Sequence, residues 1–168
     1  MGSIVLSDEQ SYALERIRAG ANVLVTGKGG SGKSLIIKEI NDQNSVLVAP
    51  TGVASLLIGG ATAHRTFGLP LGVPVPHDFL TVSRKARDLF SVYSPVKRII
   101  LDECSMLRAD MLELIDAKLK LIRGNSLPFG NIQIVLTGDF FQLDSIVTKN
   151  EEEAFYSQYS SPFNFNSK

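Results

Sequence analysis

Eight residues restrict what this chain can fold into more than any others: GKGGSGKS, residues 27–34. They have the form G-x-x-x-x-G-K-[ST]. Just before them, NVLVT (residues 22–26) is a short β-branched run bounded by turn residues, which predicts a buried strand. Just after them, KSLIIKEIND predicts a helix. A strand, a glycine-rich turn and a helix in that order let backbone N–H groups wrap phosphate oxygens, and the helix N-terminus adds a favourable dipole. On this reading Gly27, Gly29, Gly30, Ser31 and Gly32 form the cradle, Lys33 reaches the β- and γ-phosphates, and Ser34 holds Mg²⁺. The competing reading is a glycine-rich turn that has this form by chance.

The rest of the chain repeats the rhythm. SVLVAP, KRIILDE and NIQIVLTGD are further apolar runs that predict strands. Between them lie predicted helices. LSDEQSYALERIRAG has Ser7 as N-cap, Gln10 at the capping-box position and Gly20 at its end. GVASLLIGG is a short helix stopped by glycines. ADMLELIDAKLKLIR is amphipathic, with Met111, Leu114, Ile115, Leu119 and Ile122 on one face and Glu113, Asp116, Lys120 and Arg123 on the other. Continuous apolar strands alternating with helices predict an α/β domain of three layers, a mainly parallel sheet covered on both faces. In such folds ligands bind beyond the C-terminal ends of the strands. The 168 residues, 44% of them hydrophobic, suit one domain with a real core.

Residues 69–95 break the rhythm. They run from the Pro- and Gly-rich LPLGVPVPHD into a helix-like FLTVSRKARDLFSVY, and predict a small insertion on the domain surface. From Val73 to Arg98 the basic residues are Arg84, Lys85, Arg87, Lys97 and Arg98, against Asp78 and Asp88. Over the whole chain Lys+Arg and Asp+Glu are 17 each, so net charge offers no argument for a nucleic-acid partner. The single cysteine, Cys104, excludes an internal disulfide and fits a soluble intracellular protein. No apolar run is long enough to span a membrane, and no signal peptide is visible.

Two further motifs complete a phosphate site. IILDECSM delivers Asp102 and Glu103 to the end of an apolar strand, Asp102 for a Mg²⁺ shell and Glu103 to polarise an attacking water. As mere helix caps they would need no nucleotide. Cys104 beside them reads as a packing residue. LTGDFFQLDSIV ends its strand with a carboxylate, two phenylalanines and a glutamine. Gln142 is placed to bond a γ-phosphate or the attacking water, with Phe140 and Phe141 packing the loop. The alternative is a structural loop with buried aromatics. APTGVAS and GGATAHRTFG follow the second strand. Thr51 and Gly52 suit a nucleic-acid phosphate at a helix start, and Thr62, His64, Thr66 and Phe67 offer hydroxyls, an imidazole and a stacking ring to a single strand. Against this, Phe67 also suits a core and His64 a satisfied loop.

Taken in order, LSDEQ, GKGGSGKS, APTGVAS, GATAHRTFG, LDECSM and GDFFQL span residues 6–143. As a set the sequence resembles the first RecA-like motor domain of superfamily-one DNA helicases of the RecD/Pif type. The resemblance implies a P-loop NTPase that uses ATP and Mg²⁺ to move 5′ to 3′ along single-stranded DNA and to unwind duplex at forks. It implies that Gln10 contacts adenine as well as capping its helix, that Glu103 is the catalytic base beside Lys33, and that Gln142 couples the γ-phosphate to DNA-binding elements. Thr51, His64 and Phe67 fall in motifs that line DNA. Residues 69–95 correspond to a small wedge subdomain at the fork. Two departures stand out: Asp144 and Ser145 occupy positions where the family usually has two prolines, and Cys104 stands where an aliphatic residue is common. The second RecA-like domain, with its arginine finger, is not among the 168 residues. The chain therefore reads as the first of two motor domains, able to bind nucleotide but slow to hydrolyse it, with EEEAFYSQYSSPFNFNSK leading toward the second. Two other classes compete. A small-molecule kinase leaves GDFFQ and GATAHRTFG without a role, and the other is a nucleotide-binding module with no motor activity.

Overall fold

A computed structural model of the chain describes residues 5–142 and 145–164, so Asp144 lies outside the described residues. The apolar runs pair as one sheet of five parallel strands: β1 (Val23–Thr26), β2 (Ser45–Ala49), β3 (Ala61–Thr62), β4 (Arg98–Leu101) and β5 (Gln133–Gly138), in the order β1-β5-β4-β2-β3. The helices are α1 (Asp8–Arg18), α2 (Lys33–Ile40), α3 (Gly52–Leu57), α4 (Ala63–Phe67), α5 (Arg84–Phe90), α6 (Ala109–Arg123) and α7 (Glu152–Tyr156). The pleat sends alternate residues of β4 and β5 to opposite faces. Ile100 and Val135 meet Leu14, Ile17, Ile36, Ile37 and Ile40 of α1 and α2. Ile99, Leu101, Ile134 and Leu136 meet Leu114, Ile115 and Leu119 of α6, with Phe67 and Phe90. The result is the expected three-layer α/β domain.

Local signals set the helix ends. The Ser7 hydroxyl accepts from the Gln10 N–H at 3.2 Å, and Gln10 Oε1 accepts from the Ser7 N–H at 3.0 Å. This is the reciprocal capping box that the sequence predicts. Helix α6 has the bounds that its periodicity predicts. Its buried face extends to Leu112 and Lys118, and the Lys118 ammonium donates to the Thr81 carbonyl at 2.7 Å.

One expectation about the strands needs correction. Strand β1 is not buried on both faces. It is one of the two edge strands, and Leu24 is 43% exposed while Val23 and Val25 face α1 and α2. Strand β3 was not foreseen, because two residues carry no periodicity. Residues 69–95, read from sequence as a surface insertion, are anchored: Ala86 and Phe90 are fully buried in the main core. Arg98 does not belong to their basic surface. It starts β4 and donates to the Ile40 carbonyl at 2.6 Å and to Gln133 Oε1 at 2.8 Å, closing the C-terminal end of α2. Arg84, Lys85 and Arg87 do face solvent. The acidic tail folds back, packing Phe155 and Tyr159 against Ala109 at the start of α6. Among the described residues no helix is long and apolar enough to cross a membrane.

Candidate active site

The parallel register places the strand ends side by side. Thr26 pairs with Gly138, and Leu101 pairs with Leu136. The loop after β1, the acids after β4 and the turn after β5 therefore converge. A cavity of about 300 Å³ between them is lined by Gly29, Gly30, Gly32, Lys33, Ser34, Asp102, Glu103 and Gln142. Gly30 and Gly32 have φ of 81° and 87°, a left-handed backbone that a Cβ would strain. The other two cradle residues stand behind the lining. The Gly27 N–H donates to the Gly138 carbonyl at 3.3 Å, and the Ser31 carbonyl accepts from Gln10 Nε2 at 3.0 Å. Both ends of the Gln10 amide are thus engaged, one in the capping box and one on the loop. The Lys33 ammonium donates to the carbonyls of Gly27 at 2.5 Å and Lys28 at 3.1 Å.

On the acidic side, Asp102 Oδ1 accepts from the Thr137 hydroxyl at 2.6 Å, and Thr137 is fully buried. The sequence reading passed over Thr137, although a polar residue one step before the end of an apolar strand is a signal for such a contact. Glu103 sits at φ 51°, in the left-handed region. For a residue with a Cβ this costs on the order of 1–3 kcal/mol and occurs preferentially at functional sites. Burial raises the Glu103 carboxyl above its usual value. The charges of Asp102 and Asp139 push it further up, and Lys33 opposes them. A carboxylate tuned upward is a stronger base. Burial pushes the Cys104 thiol up to about 11, which fits a packing residue.

The turn after β5 divides its labour. Asp139 is buried and accepts from the N–H groups of Gly29 and Phe141, both at 3.0 Å. Phe140 packs against the core and meets Phe163 edge to face at 6.3 Å. Phe141 does not pack as expected; it is 93% exposed. Gln142 is exposed at the cavity, its Nε2 only 2.9 Å from where a Cβ on Gly29 would stand.

The residues expected to meet a nucleic acid separate into two groups. Thr51 and Thr62 are N-caps, accepting from Ala54 and Arg65 N–H groups, each at 3.2 Å. Gly52 is exposed in the first turn of α3. Thr51 and His64 help line a second cavity of about 280 Å³, with Pro50, Leu71, Met106, Arg108 and Ile146 among its walls. Burial lowers the His64 imidazole below its ordinary value and the Arg108 charge adds to this, so the neutral ring is favoured. Phe67 must be removed from the set. It has no exposed surface, and its ring stacks on Phe90 at 5.2 Å and 7°, joining α4 to α5 inside the core. Thr66 is buried as well.

Arg108 is the organising residue of this second face, and no sequence spacing announced it. Its guanidinium donates to both oxygens of Asp110 at 3.0 and 2.6 Å, to Glu151 at 2.9 Å and to the Gly72 carbonyl at 3.4 Å. It also lies 5.4 Å from the centre of the Phe155 ring. Burial works against its charge, but the two carboxylates outweigh that and raise its pKa.

The same arrangement of motifs occurs in known proteins. The family model for PIF1-like helicases matches residues 5–161. The ATP-dependent DNA helicase RRM3 of Saccharomyces cerevisiae is 36% identical over an alignment of 157 positions that covers 88% of this chain and 22% of that protein. Unliganded Pif1 from a Bacteroides species superimposes with a TM-score of 0.88 at 38% identity, over 98% of this chain and 38% of that one. Bacteroides Pif1 in complex with ADP-AlF3 and single-stranded DNA gives 0.87 at 36% identity, over 98% and 39%. The chain spans well under half the length of each of these proteins. Its sheet, its strand-end motifs and a family match covering nearly every residue lead to one assignment: this chain belongs to the PIF1-like helicase family.

Proposed function

We propose that this chain is the ATP-binding motor half of an ATP-dependent DNA helicase that moves 5′ to 3′ along single-stranded DNA and opens duplex at forks. The observation that carries this reading is the single cavity onto which Lys33, Ser34, Asp102, Glu103 and Gln142 all open. Lys33 leaves the carbonyls of Gly27 and Lys28 and binds the β- and γ-phosphates, while the loop amides receive the phosphate oxygens. The Ser34 hydroxyl and the Asp102 carboxylate are hard oxygen donors on one cavity, a donor set that fits Mg²⁺. When bound, that ion neutralises charge on the phosphate oxygens. Thr137 keeps Asp102 in place for this role. Glu103 orients the attacking water and accepts its proton. Gln142, beside Gly29, senses whether a γ-phosphate is present. For Gln10 to read adenine, its amide exchanges the Ser31 carbonyl for the base.

The second face carries DNA in this reading. Thr51, Gly52, Thr62 and His64 offer amides, hydroxyls and a neutral imidazole to the phosphates and sugars of a single strand. The outward basic residues Arg84, Lys85 and Arg87 make residues 69–95 a wedge at the fork. The relatives are much longer than this chain, and we assign to their remaining length a second RecA-like domain in cis. Its arginine completes the ATP site; without such a residue hydrolysis is slower by about 10³–10⁵. The test is Mg·ATP hydrolysis with and without single-stranded DNA, on this chain and on the protein extended to the length of its relatives. The expected result is strong DNA stimulation of the extended protein alone. An extended protein that ignores DNA and phosphorylates a small acceptor would refute the proposal.

A further inference from the structure

We propose that Asp139 is a positioning residue that fixes the phosphate loop from behind, by holding the Gly29 N–H away from the bound phosphates. The proposal rests on the nucleotide reading of the cavity and assigns a role to a carboxylate that this reading leaves unused.

Asp139 is 4% exposed and does not line the cavity. Its Oδ1 accepts from Phe141 two residues on, a local bond that shapes the turn. Its Oδ2 accepts from Gly29, which is 110 residues away in the chain. The Gly29 N–H therefore points into the protein body. The amides left to face a phosphate are those farther along the loop, toward Lys33 and Ser34. A carboxylate aimed at the phosphates would compete for the amides that bind them; one behind the loop leaves those amides free and uses its charge to strengthen a bond to backbone.

The anchor itself is rigid. A Cβ on Gly138 would stand 2.9 Å from Cys104 Sγ and 3.2 Å from the Ser105 nitrogen, so Gly138 is pressed against the turn that follows Asp102 and Glu103. The Gly138 carbonyl also accepts from Gly27. Asp139 thus leaves a backbone that is pinned to the acids on one side and to the loop on the other. Gly29 is held by Asp139 through hydrogen bonding, and Gln142 of the same short segment lines the same cavity, its Nε2 2.9 Å from where a Cβ on Gly29 would stand. A loop with four glycines in six residues has much conformational freedom to lose when phosphate binds. The Asp139 bond removes part of that freedom beforehand, which is how preorganisation raises affinity.

Amide NMR on the chain, with Mg·ADP as the probe, tests this directly. In the free chain the Gly29 amide should exchange more slowly than those of Gly30 and Gly32. On adding Mg·ADP, Gly30, Gly32 and Lys33 should shift strongly and Gly29 weakly. Asp139→Ala should speed Gly29 exchange to that of its neighbours and weaken Mg·ADP binding about tenfold, the scale of one charge-assisted hydrogen bond. Asp139→Asn keeps one acceptor oxygen but turns an NH₂ toward the second N–H, so its affinity should lie between those of wild type and Asp139→Ala. Unchanged affinity in a folded Asp139→Ala chain overturns the proposal, as does a Gly29 amide that shifts most on nucleotide binding. If Asp139→Ala does not fold, the wild-type shifts decide by themselves. A chain that binds Mg·ADP, loses it on Lys33→Ala and ignores Asp139→Ala removes this inference alone. A folded chain that never binds Mg·ADP removes the nucleotide reading with it.

Discussion

Replacing Arg108 with alanine should be among the most damaging single changes outside the sheet. The guanidinium is the shared partner of Asp110, Glu151 and the Gly72 carbonyl, and it covers the Phe155 ring. The Asp110 side chain is 2% exposed, so removing Arg108 leaves a buried carboxylate without its counter-ion. Breaking one partner out of such a pair typically costs about 3–5 kcal/mol, against at most about 1 kcal/mol for an exposed pair. For a domain of this size that lowers the melting temperature by roughly 6–20 °C. Urea unfolding gives the value, with an unchanged slope showing that the transition remains the same. Adding Asp110→Asn to Arg108→Ala should restore part of the loss, because the orphaned charge disappears; coupling above about 1 kcal/mol is expected. The pH dependence has a definite sign. Hydrogen bonds from Thr148, then Arg108, hold the Glu151 carboxyl down at about 2 from a usual 4.5. Its contribution is complete above about pH 4.5 and is lost as pH falls toward 2, so the gap between wild type and variant should narrow on acidification. A cost below about 1 kcal/mol at pH 7 would refute this reasoning and return the cluster to the class of surface ion pairs.

Three other outcomes follow from the site. Glu103→Gln in the extended protein should keep Mg·ATP affinity and lower hydrolysis by at least about 10²-fold; collapse of affinity would make Glu103 a metal or structural residue instead. Thr137→Val, nearly isosteric, should leave the fold intact and weaken the Mg²⁺ dependence of nucleotide binding by about 10–100-fold, the usual consequence of removing a partner of a metal ligand; an unchanged Mg²⁺ titration would show that Asp102 needs no support. His64→Ala should weaken single-strand binding by the extended protein with basal hydrolysis intact, whereas Phe67→Ala should cost about 3–5 kcal/mol of stability and leave the affinity of the folded fraction unchanged. A loss of DNA affinity in folded Phe67→Ala would contradict its place in the core.

What the sequence disclosed and what it concealed divide along a physical line. Features set within a few residues were legible: the capping box at Ser7 and Gln10, the bounds of α6, the turn at GKGGSGKS. Features that depend on where strands lie in the sheet were not. Nothing local to NVLVT marks it as an edge strand, since that follows from the order in which strands return. Phe67 misled because a ring inside a run of polar residues has the same letters whether it faces solvent or Phe90. The least legible residues were those whose partners are distant in sequence: Thr137 is 35 positions from Asp102, Arg108 is 43 from Glu151, and Asp139 is 110 from Gly29. The turn after β5 shows why this matters for function. In sequence it is a carboxylate, two rings and an amide, a mixture as suited to a plain loop as to a sensor. In the fold its first residue accepts from the Gly29 N–H from inside the protein, and its fourth lines the same cavity as that glycine. The Asp139 bond joins the turn that carries Gln142 to the loop that carries Lys33, so a movement of one backbone bears on the other. If the chain works as the proposed motor, the Asp139–Gly29 bond is therefore a place to look for coupling between nucleotide state and this turn, beside Gln142 itself.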